Sequence, residues 1–371
     1  MATITQTDTY DAVLTSASRL YLGKLRDNIV RGMKYLAWLD AKGRITYRDG
    51  GYQVQIPLMY GLNQTADVMS GYGQVSTSPQ DGITSALFDW TQMAVSVTIS
   101  KKEKVQNSGD KKFDLLKAKI TQAEKSLRYL ASRCIVQGTI AAATSLVQFT
   151  QVIGKVDTAA VGPLPIPALI DSNRTRTVTI GNIAQGTYDW WRNRSTSSTA
   201  STWAGYKREL YRLYNVCSRG DGGDSPDLAL GDQDSFEAYH NSLQAAERYV
   251  DMKAVNLLNG AENLKLKGAV FIWDELVPDT ETAGILDSDG NGTAIGTMDT
   301  PGTTVGTVFM INSDYMELVV ANSANFSMSP FVQPENQVGV STAIIDWMGA
   351  HCTSNRRKNG VLYGVATNIS A

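Results

Sequence analysis

Between Arg44 and Ser100 the chain reads RITYRDGGYQVQIPLMYGLNQTADVMSGYGQVSTSPQDGITSALFDWTQMAVSVTIS, a stretch with no lysine, scattered charge and no core-like hydrophobic block. Its periodicity is two. Tyr52, Val54, Ile56 and Leu58 alternate with Gln53, Gln55 and Pro57, and a return strand is expected over Phe88 to Ser100, where Trp90, Met93, Val95, Val97 and Ile99 mostly alternate with small or polar residues. The residues between the arms are rich in Gly, Ser, Thr, Gln and Asn, as turns require. Each arm, about thirteen residues at roughly 3.3 Å per residue, reaches roughly 40 Å. A two-stranded ribbon of that length is marginal alone, so its missing surface is expected on another copy of the chain.

Outward from this stretch the periodicity becomes helical on both sides. Residues 9 to 39 carry Tyr10, Val13, Leu14, Ala17, Tyr21, Leu25, Ile29, Met33 and Leu36 at helical spacing, broken by Gly23 and Gly32. Tyr35, Trp38 and Leu39 near its end predict an arm lying across its own body or a neighbour's. On the other side, Ser108 or Asp110 caps a helix with Phe113, Leu116, Ile120, Ala123, Leu127, Leu130 and Cys134 at steps of three and four until Gly138. About 28 residues at 1.5 Å each make a rod of roughly 42 Å.

Farther on, Trp203 to Arg219 reads as a helix with the stripe Tyr206, Leu210, Leu213, Tyr214 and Cys217. Asp227 to Leu230, Ala269 to Trp273 and Val308 to Ile311 read as strands, and Asp232 or Asp234 caps a helix carrying Phe236, Tyr239, His240 and Leu243. Strands interleaved with helices imply an α+β class. Ser341 to Met348 and Val361 to Ala366 are expected to pair as a closing hairpin through the Asn359-Gly360 turn.

The chain has 371 residues and a formal charge of −2, which argues against a generally basic nucleic-acid binder. The start MATITQTDTYDAVL has no cationic region before an apolar run, and no apolar stretch approaches membrane-span length. These features place the protein in the cytoplasm with no membrane partner. Cys134, Cys217 and Cys352 are widely separated and read as free, buried thiols.

Candidate chemistry is sparse. Asp287-Ser288-Asp289-Gly290-Asn291-Gly292 imitates the start of a calcium loop, but the twelfth position is Met298 where a bidentate glutamate is needed, so a polar turn is expected. His240 and His351 are the two histidines; His351 and Cys352, being adjacent in a strand, face opposite sides and read as structural. No phosphate-binding loop ending in Gly-Lys-Ser/Thr and no Gly-x-Ser-x-Gly elbow occurs. No cofactor or metal is called for. Arg356, Arg357 and Lys358 form one compact basic cluster, either a solvated turn or a contact for an acidic neighbour or packaged nucleic acid.

The order of a helical arm, a charge-poor hairpin, a long helix, a mixed lobe and a returning C-terminal segment resembles the tailed-bacteriophage major capsid protein of the Hong Kong 97-type fold. Two local runs add to the likeness: Phe88-Asp89-Trp90-Thr91-Gln92-Met93-Ala94-Val95-Ser96-Val97-Thr98-Ile99-Ser100, and Trp347-Met348-Gly349 followed by Asn355-Arg356-Arg357-Lys358-Asn359-Gly360-Val361-Leu362. The resemblance implies an N-terminal arm (1–43), an extended loop (44–100), a peripheral domain (101–145 plus 335–371) with a spine helix (110–137), and an axial domain (146–334).

It further implies a structural, non-enzymatic subunit of hexamers and pentamers. These would close an icosahedral virion shell around double-stranded DNA, assembled in the host bacterial cytoplasm with a portal protein and, where used, separate scaffolding and decoration proteins. Tyr52, Val54, Ile56, Leu58, Tyr60, Tyr72 and Trp90 of the extended loop would contact a neighbour. Some relatives weld their shells through an extended-loop lysine; this stretch has none, so a non-covalent shell is expected. The nearest rival is an encapsulin-like compartment. A carbohydrate-active enzyme using Trp190 and Trp191 is the rival of another class.

Overall fold

The computed structural model describes residues 34–74, 76–106, 115–136, 140–141, 145–146, 163–171, 179–220, 224–243, 264–277, 305–334 and 339–366, and every structural statement below concerns these. Helix α1 (Lys34–Ala41) leads into β1 (Ile45–Arg48), β2 (Gln53–Met59), β3 (Ile83–Asp89) and β4 (Thr91–Ser100). A short α2 (Lys101–Gln106) and the long α3 (Leu115–Val136) follow, then a two-residue pair β5 (Ile140–Ala141) and β6 (Ser145–Leu146), and the single-turn α4 (Ile166–Leu169). Next come β7 (Thr179–Ile180), β8 (Ile183–Ala184), β9 (Arg194–Ser197), α5 (Trp203–Cys217), β10 (Leu228–Gly231), α6 (Gln233–Ser242), β11 (Leu264–Leu266) and β12 (Ala269–Trp273). Four long strands close the chain: β13 (Val305–Ile311), β14 (Met316–Met328), β15 (Val340–Thr353) and β16 (Gly360–Ala366).

Two sheets organise these elements. One has the order β1-β14-β15-β4, the other β11-β12-β10-β13-β16-β9, while β2 and β3 pair only with each other. The six-stranded sheet is apolar on both faces. Leu228, Leu230, Ile272, Phe309, Ile311 and Val361 join one core, and Ala229, Phe271, Val308, Met310 and Leu362 join a second beneath α5 and α6. Gly231 is needed here because a Cβ would stand 2.8 Å from the Phe271 ring.

Both covering helices start as the sequence predicts. The Thr202 hydroxyl caps α5 by accepting from Gly205 N, and Tyr206, Leu210, Leu213, Tyr214 and Cys217 are its buried stripe. Asp232 caps α6 by accepting from Ser235 N at 3.1 Å, and its other oxygen accepts from Thr307 N at 2.9 Å, fastening α6 to β13. Burial pushes this carboxyl upward, and the donors pull it back.

The first core is shared by α1, α3, α4, the four-stranded sheet and the root of the β2–β3 ribbon. On α3 the expected stripe holds: Ala123, Leu127 and Cys134 are buried, with Ile120 and Leu130 packed against the core. On α1, Tyr35, Trp38 and Leu39 are buried against the chain's own body. Lys34 Nζ donates to Trp273 O at 2.5 Å and sits 3.6 Å above the Trp273 ring, while Lys42 pairs with Asp227 at 2.9 Å. Cys134, Cys217 and Cys352 are free and buried, as expected.

His351 is a buried strut between three segments. Its Nδ1 donates to Leu164 O at 2.7 Å, which leaves Nε2 to accept from Tyr35 OH at 3.0 Å. Burial is the main cause that lowers its pKa from 6.5 to about 4. A neutral folded histidine stabilises the fold above pH 6.5, and that contribution is lost as pH falls toward about 4. Between pH 7 and 4 the parent is expected to lose about 3 kcal/mol relative to His351→Gln, measured by urea unfolding of both. The comparison with the variant matters because Asp274, pushed up to about 6 chiefly by burial, slopes the opposite way.

Three expectations are corrected. The return strand is two strands: β3 pairs with β2, whereas β4 pairs antiparallel with β15 from Thr91↔Gly349 to Ser100↔Val340. Burial changes phase between them, from Ala86 and Phe88 to Thr91, Met93, Val97 and Ile99, because the two halves face different partners. With β1 paired parallel to β14, the projecting ribbon spans only about 49–90. Finally, β15 and β16 do not pair. The flanks of β15 are taken by β14 and β4 and those of β16 by β13 and β9, so residues 354–359 form a crossover containing a 3₁₀ turn at Arg356–Lys358. Most of the 9–39 pattern, residues 110–114 of the long helix and the 287–292 loop lie outside the described residues.

Candidate assembly surface

The ribbon has two unlike faces. Its register pairs Val54 with Phe88, Ile56 with Ala86 and Leu58 with Thr84 on the inner face; Phe88, Ala86 and Leu58 are buried, Val54 and Ile56 half-buried. Met59 and Ile83, paired on the outer face, are exposed. Beyond them lie Leu62, 92 % exposed, Val68, 98 %, and a fully exposed Tyr72, and at the ribbon's root Tyr52 is 91 % exposed. So many large apolar side chains in water along one projecting element mark a surface meant to be covered.

The seven ribbon residues picked from the sequence therefore divide. Tyr52 and Tyr72 are free for a neighbour. Leu58 is buried in the chain's own core, which corrects its assignment as a contact residue, and Val54 and Ile56 lean on that core. Tyr60, partly exposed, stacks on Trp190 with centroids 5.1 Å apart, and Trp90 donates its Nε1 to Gly51 O at 3.1 Å. Met59, Leu62, Val68 and Ile83 are further exposed apolar residues that the choice from the sequence did not include, although the outward position of Met59 follows from the period-two pattern.

Charge on the ribbon has one sign. Between Gly50 and Ser100 the only charged residues are Asp67, Asp81 and Asp89, all exposed. The next segment is opposite: residues 101–136 hold ten lysines and arginines against four acids, a net of +6 in a chain of net −2. Lys101, Lys102, Lys117 and Arg128 are exposed there, while Lys119 pairs with Glu103 at 3.0 Å and binds α2 to α3.

The basic cluster at 356–358 is a structural device. Arg356 is fully buried and donates Nε to Leu169 O at 2.8 Å, Nη2 to Ala168 O at 3.1 Å and Nη1 to Trp191 O at 3.4 Å. It satisfies carbonyls left over at the end of α4. Lys358, also buried, donates to Arg219 O at 3.2 Å and pairs with Asp224 at 3.3 Å. Only Arg357 faces solvent, so the expectation of a three-residue charged contact is corrected to one residue. Trp191 is buried with its Nε1 donating to Ile180 O, which removes it from a sugar-stacking surface.

Comparison of this architecture with solved structures decides its class. A cyanophage A-1(L) capsid subunit superposes with a TM-score of 0.63 at 12 % identity, covering 96 % of this chain and 99 % of that one. The chain has the phage capsid fold. A capsid subunit of a native GTA particle shares the capsid fold at TM-score 0.54 and 10 % identity, over 99 % of both chains. The SrpI encapsulin of Synechococcus elongatus shares it too, at 0.52 and 10 % identity over 98 % and 97 % of the two chains. No family model and no curated protein sequence matches this chain.

Proposed function

We propose that the chain is the structural subunit of a tailed-phage icosahedral shell, built of hexamers and pentamers around double-stranded DNA. The carrying observation is a capsid fold, matched over nearly the whole chain, whose projecting ribbon leaves Tyr52, Met59, Leu62, Val68, Tyr72 and Ile83 in water. In this reading residues 1–43 are the arm, the ribbon is the extended loop, α3 is the spine of a peripheral domain (101–145 plus 335–371), and 146–334 are the axial domain. The ribbon lies over an adjacent subunit and gains about 25 cal/mol for each Å² of apolar area it buries there. The shell belongs to a virion assembled in the host bacterial cytoplasm, and its partners are a portal protein and separate scaffolding or decoration proteins. The role is architectural, without catalysis.

Negative-stain microscopy of the purified chain tests this: closed shells or capsomer rings are expected, and monomers at high concentration would refute it. The same particles, boiled in denaturant, should run as a single monomer band, since residues 44–100 offer no lysine for a weld; a covalent ladder would overturn that part.

Charge indicates where the ribbon rests. Asp67, Asp81 and Asp89, beyond its root or at its edge, fit the basic surface of α2 and α3 on a neighbour. Lys101→Glu with Lys102→Glu and Lys117→Glu is expected to block assembly, and reversing Asp67, Asp81 and Asp89 to lysine in the same chain to restore it; light scattering reads both.

The encapsulin likeness supports a second reading, a compartment around a cargo protein. Particles isolated from the native source distinguish the two: nuclease-protected DNA favours the phage shell, a co-purifying enzyme the compartment.

A further inference from the structure

The turn between β7 and β8 has two central residues at positive φ, Gly181 at 62° and Asn182 at 63°, the type I′ geometry of a tight hairpin. Asn182 faces solvent, but Gly181 is buried against the ribbon. Gly181 O accepts from Leu87 N of β3 at 3.0 Å, and a Cβ on Gly181 would stand 3.0 Å from Ala86 Cβ and 3.2 Å from Phe88 Cζ. The glycine is thus demanded twice, by its φ and by the ribbon pressed against it. Behind the turn, the buried Trp191 holds Ile180 O through Nε1 at 2.9 Å. Beside it, Trp190 stacks on Tyr60 near the outer end of the paired strands, its ring plane 22° from that of Tyr60.

The ribbon's root alone would not fix its direction. It leaves the four-stranded sheet through Gly50 and Gly51, at φ 86° and 89°, a pair with wide conformational freedom. Asp49 anchors the near side by accepting from Ser323 N at 2.9 Å, and Trp90 grips Gly51 O. Beyond that root the inner face of the ribbon packs on the body through Phe88, Ala86 and Leu58, and the contacts that carry direction there are the Leu87–Gly181 hydrogen bond and the Tyr60–Trp190 stack.

We infer that the β7–β8 turn and Trp190 form an intramolecular cradle that sets the direction of the ribbon in a single chain, before a neighbour binds. Gly181 and Trp190 are positioning residues. For the assembly reading above, on which its biological consequence rests, the cradle removes part of the ordering cost at the moment of association.

The test uses the full chain, below its assembly concentration, with spin labels on Tyr72→Cys at the exposed end of the ribbon and Arg208→Cys on exposed α5. The three native cysteines are buried and leave the label pair unambiguous. The parent should give one narrow distance peak. Trp190→Ala and Gly181→Val should each lose that peak to a broad distribution while the body retains its circular-dichroism melt. Tyr60→Ala, which touches the stack from the ribbon side and lies outside both cores, should do the same and guards against misfolding of Gly181→Val. A broad parent distribution, or a peak unchanged in Tyr60→Ala and Trp190→Ala, overturns the cradle. A narrow parent peak that broadens in the variants, in a chain that never forms shells, refutes the shell reading and leaves the cradle standing.

Discussion

Replacing residues 61–81 by Asn-Gly is expected to abolish shell formation while leaving the chain folded. The deletion is conservative for the body because Tyr60 N already donates to Gly82 O at 2.9 Å, so the new two-residue turn closes an existing backbone pair. The deleted side chains include Leu62, Val68, Met69 and Tyr72, all exposed and outside both cores. Loss of exposed residues costs within about 0.5 kcal/mol of folding stability. Assembly should respond very differently, since the same residues supply much of the ribbon's uncovered apolar surface. Sedimentation of parent and variant, alongside thermal melts, separates the two effects. Shells of normal size from the shortened chain would show that the ribbon is not the clasping element.

The second large effect is on folding. Arg356→Met should destabilise the chain by several kcal/mol, at about 1–3 kcal/mol for each buried carbonyl left unpaired. Methionine fills much of the space but leaves Ala168 O, Leu169 O and Trp191 O without their donor. Burial lowers the guanidinium only to about 10, so it is charged at neutral pH and its three bonds are charge-assisted. Arg357→Met, one residue along and exposed, should cost under about 0.5 kcal/mol. Urea unfolding of the two variants makes the comparison, and equal losses would argue that the cluster acts as a surface unit.

These two cases show what could be read from the residues. The ribbon was visible because strands that face water on one side keep a strict alternation, and α5 was visible because its stripe needs only local spacing. The break at Trp90 was also written in the chain: even-numbered Phe88 and odd-numbered Met93, Val97 and Ile99 cannot share a face, and the slip marks the passage from one sheet to another. Arg356 was illegible. Its burial is decided by carbonyls at 168 and 169, about 190 residues away in sequence, and three consecutive basic residues carry no local sign of a buried one. β14 was hidden for a different reason. Its first half is apolar on both faces, its second half is polar like a turn, and its register shifts between Val320 and Asn325, so neither period runs its length.

The chain passes between its two sheets twice within one small region, at 312–315 and again at 354–359. The passages are tied together: Asn312 N donates to Asn359 Oδ1 at 2.8 Å, and Ser354 N and Thr353 Oγ1 both donate to Tyr315 O. Two covalent straps laced side by side behave as a welded joint. A load applied to the long strands β14 and β15 passes straight into the six-stranded sheet without a slack segment to absorb it. A closed wall made of such units would bear internal pressure through its backbone, and its compliance would reside in the ribbons between subunits.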